Sequence, residues 1–158
     1  TIYLAAGLVH AINPDGTLRW STPTQSHSFG APALSPDGSV LYVTDVRGEL
    51  LVLDAARGSI TRRIPLGAPA YAAPLVLPDG VVVVGSNDGH VRAFAPDGTR
   101  RWDMATRGEV RSTPALGLDG TLWVGSDDGG IYGLNSADGA ARAAELMEAH
   151  GEGLRRDG

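Results

Sequence analysis

Residues Gly89–Trp102 read GHVRAFAPDGTRRW, and residues Gly7–Trp20, 82 positions earlier, read GLVHAINPDGTLRW. A third copy stands at half that distance, GELLVLD over Gly48–Asp54, followed by Arg57-Gly58. A fourth opens at Gly129-Gly130 and closes on Asp138-Gly139. A second landmark recurs as APALSPDG at Ala31–Gly38, APLVLPDG at Ala73–Gly80 and TPALGLDG at Thr113–Gly120. The prolines of these three segments, Pro32, Pro74 and Pro114, are 42 and 40 residues apart. Several landmarks sharing one period near 41 residues define a repeat, and the repeat decides the fold.

Each unit holds four short runs rich in β-branched and aromatic residues. In the third unit they cover about 72–77, 81–86, 90–95 and 99–104, named strands A to D. Asp-Gly pairs at 15/16, 37/38, 79/80, 97/98, 119/120 and 138/139 mark the A–B and C–D turns. Gly supplies the positive φ of such turns, and Asp bonds back to its own backbone. Units of this length built from four strands predict an all-β chain of β-propeller blades. The blades cover about 1–23, 30–66, 71–105 and 112–139, and the first lacks its A strand. Small residues at Ala31, Ala33, Ala72, Ala73 and Ala115 suit innermost strands converging on a channel. Leu41, Val43, Leu51, Leu53, Val82, Val84, Val91, Phe94, Trp123 and Ile131 are expected to fill the layers between sheets. Trp20 and Trp102 end equivalent D strands, which points to packing. Residues 140–158 are rich in Ala and Glu and read as a short helix or frayed tail, so the tally is 14 strands. The preferred reading is a stretch of a larger propeller of seven or eight blades. The alternatives are closure by self-association and a small open array.

Composition narrows function. The chain has 158 residues with 22 Gly and 10 Pro, an excess that the repeated turns absorb. It has no Cys, which removes disulfides, thiolate nucleophiles and zinc–thiolate sites. Its net charge is −5 with no basic block, against nucleic-acid binding. No apolar run approaches the roughly 20 residues of a membrane span.

The units resemble the quinoprotein-type (PQQ-like) propeller repeats. The matching features are GSNDG at 85–89 and GSDDG at 125–129, then Val91–Phe94 or Ile131–Leu134, then an Asp-Gly turn and Trp102. The quinone enzymes of that superfamily imply pyrroloquinoline quinone, a Ca²⁺ ion, a catalytic Asp and often a vicinal disulfide. This chain cannot form the disulfide, and no ligand set maps onto the calcium site, so no catalytic residue, metal site or cofactor is expected. The non-enzymatic members imply a scaffold that binds other proteins. The expected function is a periplasmic or extracellular binding module for a protein, peptide or glycan. The alternatives are part or relic of a quinone-dependent alcohol or aldose dehydrogenase, and assembly through open blade edges as a homo-oligomer or with further blades. The face carrying the B–C and D–A loops varies between copies, and its candidate residues are His27, Arg47, Tyr71, Asn87, Arg107, Arg111 and Asp127.

Overall fold

A computed structural model describes residues 1–24 and 26–146. Fifteen strands form four antiparallel sheets in strict chain order. The first sheet holds β1 (Ile2–Ala5), β2 (Leu8–Ile12) and β3 (Leu18–Pro23). The second holds β4 (Ala33–Leu34), β5 (Val40–Thr44), β6 (Glu49–Asp54) and β7 (Ile60–Pro65). The third holds β8 (Leu75–Val76), β9 (Val82–Gly85), β10 (His90–Phe94) and β11 (Arg100–Ala105). The fourth holds β12 (Ala115–Leu116), β13 (Thr121–Gly125), β14 (Gly130–Asn135) and β15 (Ala141–Leu146). The chain is therefore an all-β array of propeller blades. The short first strands β4 and β8 touch one another, which places the A strands on the inner side.

Residues 141–146 correct the reading of that stretch as a short helix or tail. They form β15, which pairs with β14 from Gly130↔Leu146 to Leu134↔Ala141. The fourth blade thus has four strands, and the array has 15 rather than 14. Ala and Glu favour helix in isolation, but the open hydrogen-bonding edge of β14 and the turn closed by Gly139 override that weak preference. The C–D pair shifts register between Gly133 and Leu134, as the other three do at Ala11/Ile12, Val52/Leu53 and Ala93/Phe94. The remainder, 147–158, lies outside the described residues. No helix among the described residues is long and apolar enough to cross a membrane.

The core is three layers, one between each adjacent pair of sheets. Val9 and the partly buried Tyr3 and Trp20 meet Leu41, Val43, Leu51 and Leu53. Tyr42, Leu50, Val52 and Ile64 meet Val82, Val84 and Phe94. Val83, Val91, Ala93 and Trp102 meet Leu122, Val124 and Leu134. Alternation along each strand sends one set of side chains to the preceding blade and the other to the following one. Trp123 and Ile131 depart from expectation, being 40% and 37% exposed. Their register positions match Tyr42 and Leu50, but on the fourth sheet that face points away from the third.

The first and third layers are latched on the C–D turn side. Trp20 lies on Gly58 of the second blade, and Trp102 on Gly139 of the fourth. Both turn glycines have positive φ, 76° and 71°, and a Cβ there would sit 2.5 and 2.6 Å from the indole ring. Gly16, with φ 84°, has nothing within 4 Å of that position. Gly16→Ala should therefore cost only the backbone term, about 1–2 kcal/mol. Gly58→Ala should cost about 1–3 kcal/mol more, because the indole must also shift. Urea denaturation of the two variants checks this, and equal midpoints would show that the Trp–Gly contact carries no packing energy.

Candidate binding face on the interblade links

The links joining strand D of one blade to strand A of the next run beside the B–C turns. The backbone N–H groups of Val46, Asn87 and Asp127 donate to the carbonyls of His27, Pro69 and Glu109 at 3.0, 2.9 and 2.9 Å. Those six residues occupy two repeat positions. The second and third links are also tied to the blade they leave, since Ala70 and Val110 donate to the carbonyls of Asp45 and Ser86, both at 3.1 Å, and in the first the Thr24 hydroxyl donates to the Gly7 carbonyl at 3.0 Å. Held on both sides, the links form a preformed surface on rigid strands.

The link residue three before the recurring Pro is Phe29, Tyr71 or Arg111. The fold brings these three copies into contact as a ledge leading into the inner strands. The Phe29 and Tyr71 rings are 5.5 Å apart between centroids and inclined by 43°. The Arg111 guanidinium lies 6.0 Å from the Tyr71 ring centroid. Arg111 is held by Glu109 (Nη2–Oε2 2.5 Å) and lies 3.5 Å from Asp127. Phe29 is 68% exposed, unusual for a large aromatic ring. Phe29 and Glu109 belong to the same variable loop face as the candidates, and their repeat positions match Tyr71 and His27.

The other candidates divide. Tyr71, Arg111 and Asp127 meet on the ledge. Asn87 and Arg107 line a separate recess of about 260 Å³ with Asp88, Thr106 and Glu109. His27 is exposed over Gly7, and Arg47 is exposed at the tip of the second B–C turn. The structure joins neither side chain to the ledge by a hydrogen bond or ion pair among the described residues.

The acidic turns are spent on their own backbone. Asp128 accepts from the Tyr132 hydroxyl at 2.6 Å, from Gly130 N–H at 2.7 Å and from Arg107 N–H at 2.9 Å. The Tyr132 bond, above all, holds its carboxyl below the usual range. For Asp88, burial opposes ionisation, but hydrogen bonds from Arg92 and Ser86 outweigh it and the net direction is downward. No group of three or more metal-ligating His, Asp or Glu residues occurs among the described residues. The carboxylates of these turns are engaged by donors of the chain itself and are not gathered as the ligands of a calcium ion would be.

Asp45 is a further departure. It is fully buried where the later blades carry Ser86 and Ser126. Its Oδ1 accepts from Arg47 and Glu49 N–H at 3.1 and 2.9 Å, but Oδ2 is buried without a partner. Burial pushes its carboxyl up, against the opposing backbone hydrogen bonds.

These features define a quinoprotein-type β-propeller array whose interblade links form an ordered face. The family model described as "Outer membrane protein assembly factor BamB" matches residues 5–153, and the chain belongs to that family. The assembly factor BamB of Nitrosomonas eutropha is 31% identical over 65% of this chain and 25% of its own length. Protein Rv3035 of Mycobacterium tuberculosis is 32% identical over 68% of this chain and 28% of its own. The crystal structure of BamB from Moraxella catarrhalis superposes with a TM-score of 0.77 at 25% identity, covering 91% of this chain and 44% of that one. The chain thus spans about a quarter of the curated relatives and less than half of the solved one.

Asp45 gives a prediction of defined sign. A carboxyl whose pKa is raised on folding destabilises the native state above that pKa, and the penalty disappears as pH falls through it. Asp45→Asn removes the titration. Wild type should gain stability relative to the variant between about pH 7 and pH 4, the interval above the ordinary Asp range. Urea midpoints of both proteins at the two pH values check this; a pH-independent difference would mean that Asp45 is not desolvated as described.

Proposed function

We propose that this chain is part of a protein-binding propeller scaffold of the bacterial periplasm, in the manner of the outer membrane protein assembly factors it resembles. The partner is a protein or an extended peptide, and it docks on the link face. The observation that carries this reading is the ledge of Phe29, Tyr71 and Arg111. Exposed aromatics backed by an ion-paired Arg on stiff supports have the composition of binding hot spots. Similarity to both assembly factors and a mycobacterial protein supports the shared binding scaffold more than any one partner.

A photo-crosslinking residue placed at Tyr71, in the chain secreted to a bacterial periplasm, should capture defined envelope proteins. The same residue at Asp15, on the opposite turn face, should not. Phe29→Ser combined with Tyr71→Ser should lower capture by an adjacent crosslinker at least about tenfold, the scale of a hot-spot loss, without moving the urea midpoint. Equal capture from both faces would remove the link face as the docking site.

A second reading, assembly through blade faces, rests on the two ends of the array. Ile2 and Leu4 are exposed on the first sheet, and Trp123 and Ile131 on the fourth, at positions that internal junctions bury. These faces suit a further blade of the same repeat, supplied by a longer chain or a second copy. Trp123→Glu with Ile131→Glu should reduce any mass above monomer in light scattering; an unchanged assembly would place the contact elsewhere.

A further inference from the structure

On the turn side an aromatic latch closes two of the three blade junctions, and the second junction lacks it. At the first junction Trp20 Nε1 and the Tyr3 hydroxyl both donate to the Ala55 carbonyl, each at 3.2 Å. At the third, Trp102 Nε1 donates to the Ser136 carbonyl at 3.1 Å. At the second junction the residue in the Trp position is Arg62, which lies against Gly98. Tyr42 holds the same register position as Tyr3, opposite Val52 as Tyr3 is opposite Ala11. Tyr42 is only 3% exposed and borders an open slot, and its hydroxyl makes no counterpart of the Tyr3–Ala55 hydrogen bond among the described residues.

An open slot of about 270 Å³ lies where the latch is missing. Tyr42 and Val40 line it together with three prolines, Pro36, Pro78 and Pro96. Asp37 and Asp79 also border it. Neither carboxylate forms an ion pair among the described residues, whereas the equivalent turn residue Asp119 lies near Arg142. Asp79 bonds its own turn through Oδ1 alone, to Val81 N–H.

We propose that this slot receives the side chain of an arginine or lysine from a basic, extended segment of a partner protein. The methylene stem lies along the proline walls and Tyr42, and the cation reaches the carboxylates of Asp37 and Asp79. Long cationic side chains have this division between an apolar stem and a charged head. A purely apolar occupant would strip water from two carboxylates without replacing it. A sugar would find few free donors, because the Ser35 and Ser39 hydroxyls already donate to Asp37. Those bonds hold the Asp37 carboxyl at about 2, so it stays charged. The charge balance also favours a cation, with Asp37, Asp79 and Asp97 set against Arg62 and Arg101, in a chain of net charge −5. The slot is on the face opposite the links and does not rest on the ledge reading.

The test uses the full chain, isotope-labelled, titrated with N-acetyl-arginine amide and with its neutral isostere N-acetyl-citrulline amide. The arginine compound should give saturable amide shifts at Val40 and Gly80 with a midpoint on the order of 1–10 mM, as its size allows. The citrulline compound should give none. Asp79→Asn keeps the turn acceptor and should weaken binding at least about fivefold. Tyr42→Phe should weaken it less, and Asp15→Asn, on the same face at the first blade, should leave it unchanged. Equal shifts with citrulline, or equal weakening by Asp15→Asn and Asp79→Asn, would overturn the proposal.

Discussion

The hydrogen bond from each B–C turn to the link that precedes it is the constraint on which the array depends. A propeller blade buries both faces of its sheet only if its neighbours stand at fixed angle and height. Side-chain layers alone leave those quantities loose, because hydrophobic attraction is not directional. The bonds from Val46, Asn87 and Asp127 to carbonyls 27, 69 and 109 fix them, since backbone groups admit little variation in length or angle. The partner bonds to Asp45 and Ser86 tie the second and third links to the other side, so these two span their blades without slack.

That constraint also explains why side chains vary most freely between copies on the link face. In residues 27–30, 69–72 and 109–112 the backbone bonds and the side chains of Ser28 and Ser112 act at positions other than 29, 71 and 111. Position 29/71/111 can therefore change from Phe to Tyr to Arg without disturbing the fold, and the three still meet in a line. On the turn face the side chains themselves do structural work. Asp15, Asp37, Asp97 and Asp119 each bond a turn residue two positions on, which fixes their identity.

Most of the architecture was legible because its determinants are local and repeated. The Asp-Gly pairs and alternating apolar runs mark strands β1 to β14 from sequence alone. Strand β15 was not legible, because nothing in Ala141–Leu146 favours a strand; the edge of β14 makes it one. Trp123 and Ile131 match buried positions by register, and only the fold shows that their sheet face is uncovered. Tyr71, Arg111 and Asp127 could be picked as variable link residues, but their meeting depends on the angle between blades, which no single unit encodes. Asn87 and Arg107 proved to share a recess, while His27 and Arg47 stand apart.

Departures from the repeat are where this chain differs from a generic array, and they share a form. A position that normally satisfies a neighbour is filled by a residue that does not. Asp45 replaces Ser and leaves a buried oxygen unbonded. Arg62 replaces Trp and leaves the second junction unlatched, with Tyr42 beneath it. At position 92 the substitution is compensated, since Arg92 bonds Asp88 and Asp103 while Tyr132, its counterpart, bonds Asp128. Uncompensated polar groups cost stability, typically about 1–3 kcal/mol each when buried. The Tyr42 slot differs from Asp45 in that it opens to solvent and is rimmed by two carboxylates with no ion pair among the described residues. A partner cation can complete it, whereas nothing from outside reaches Asp45.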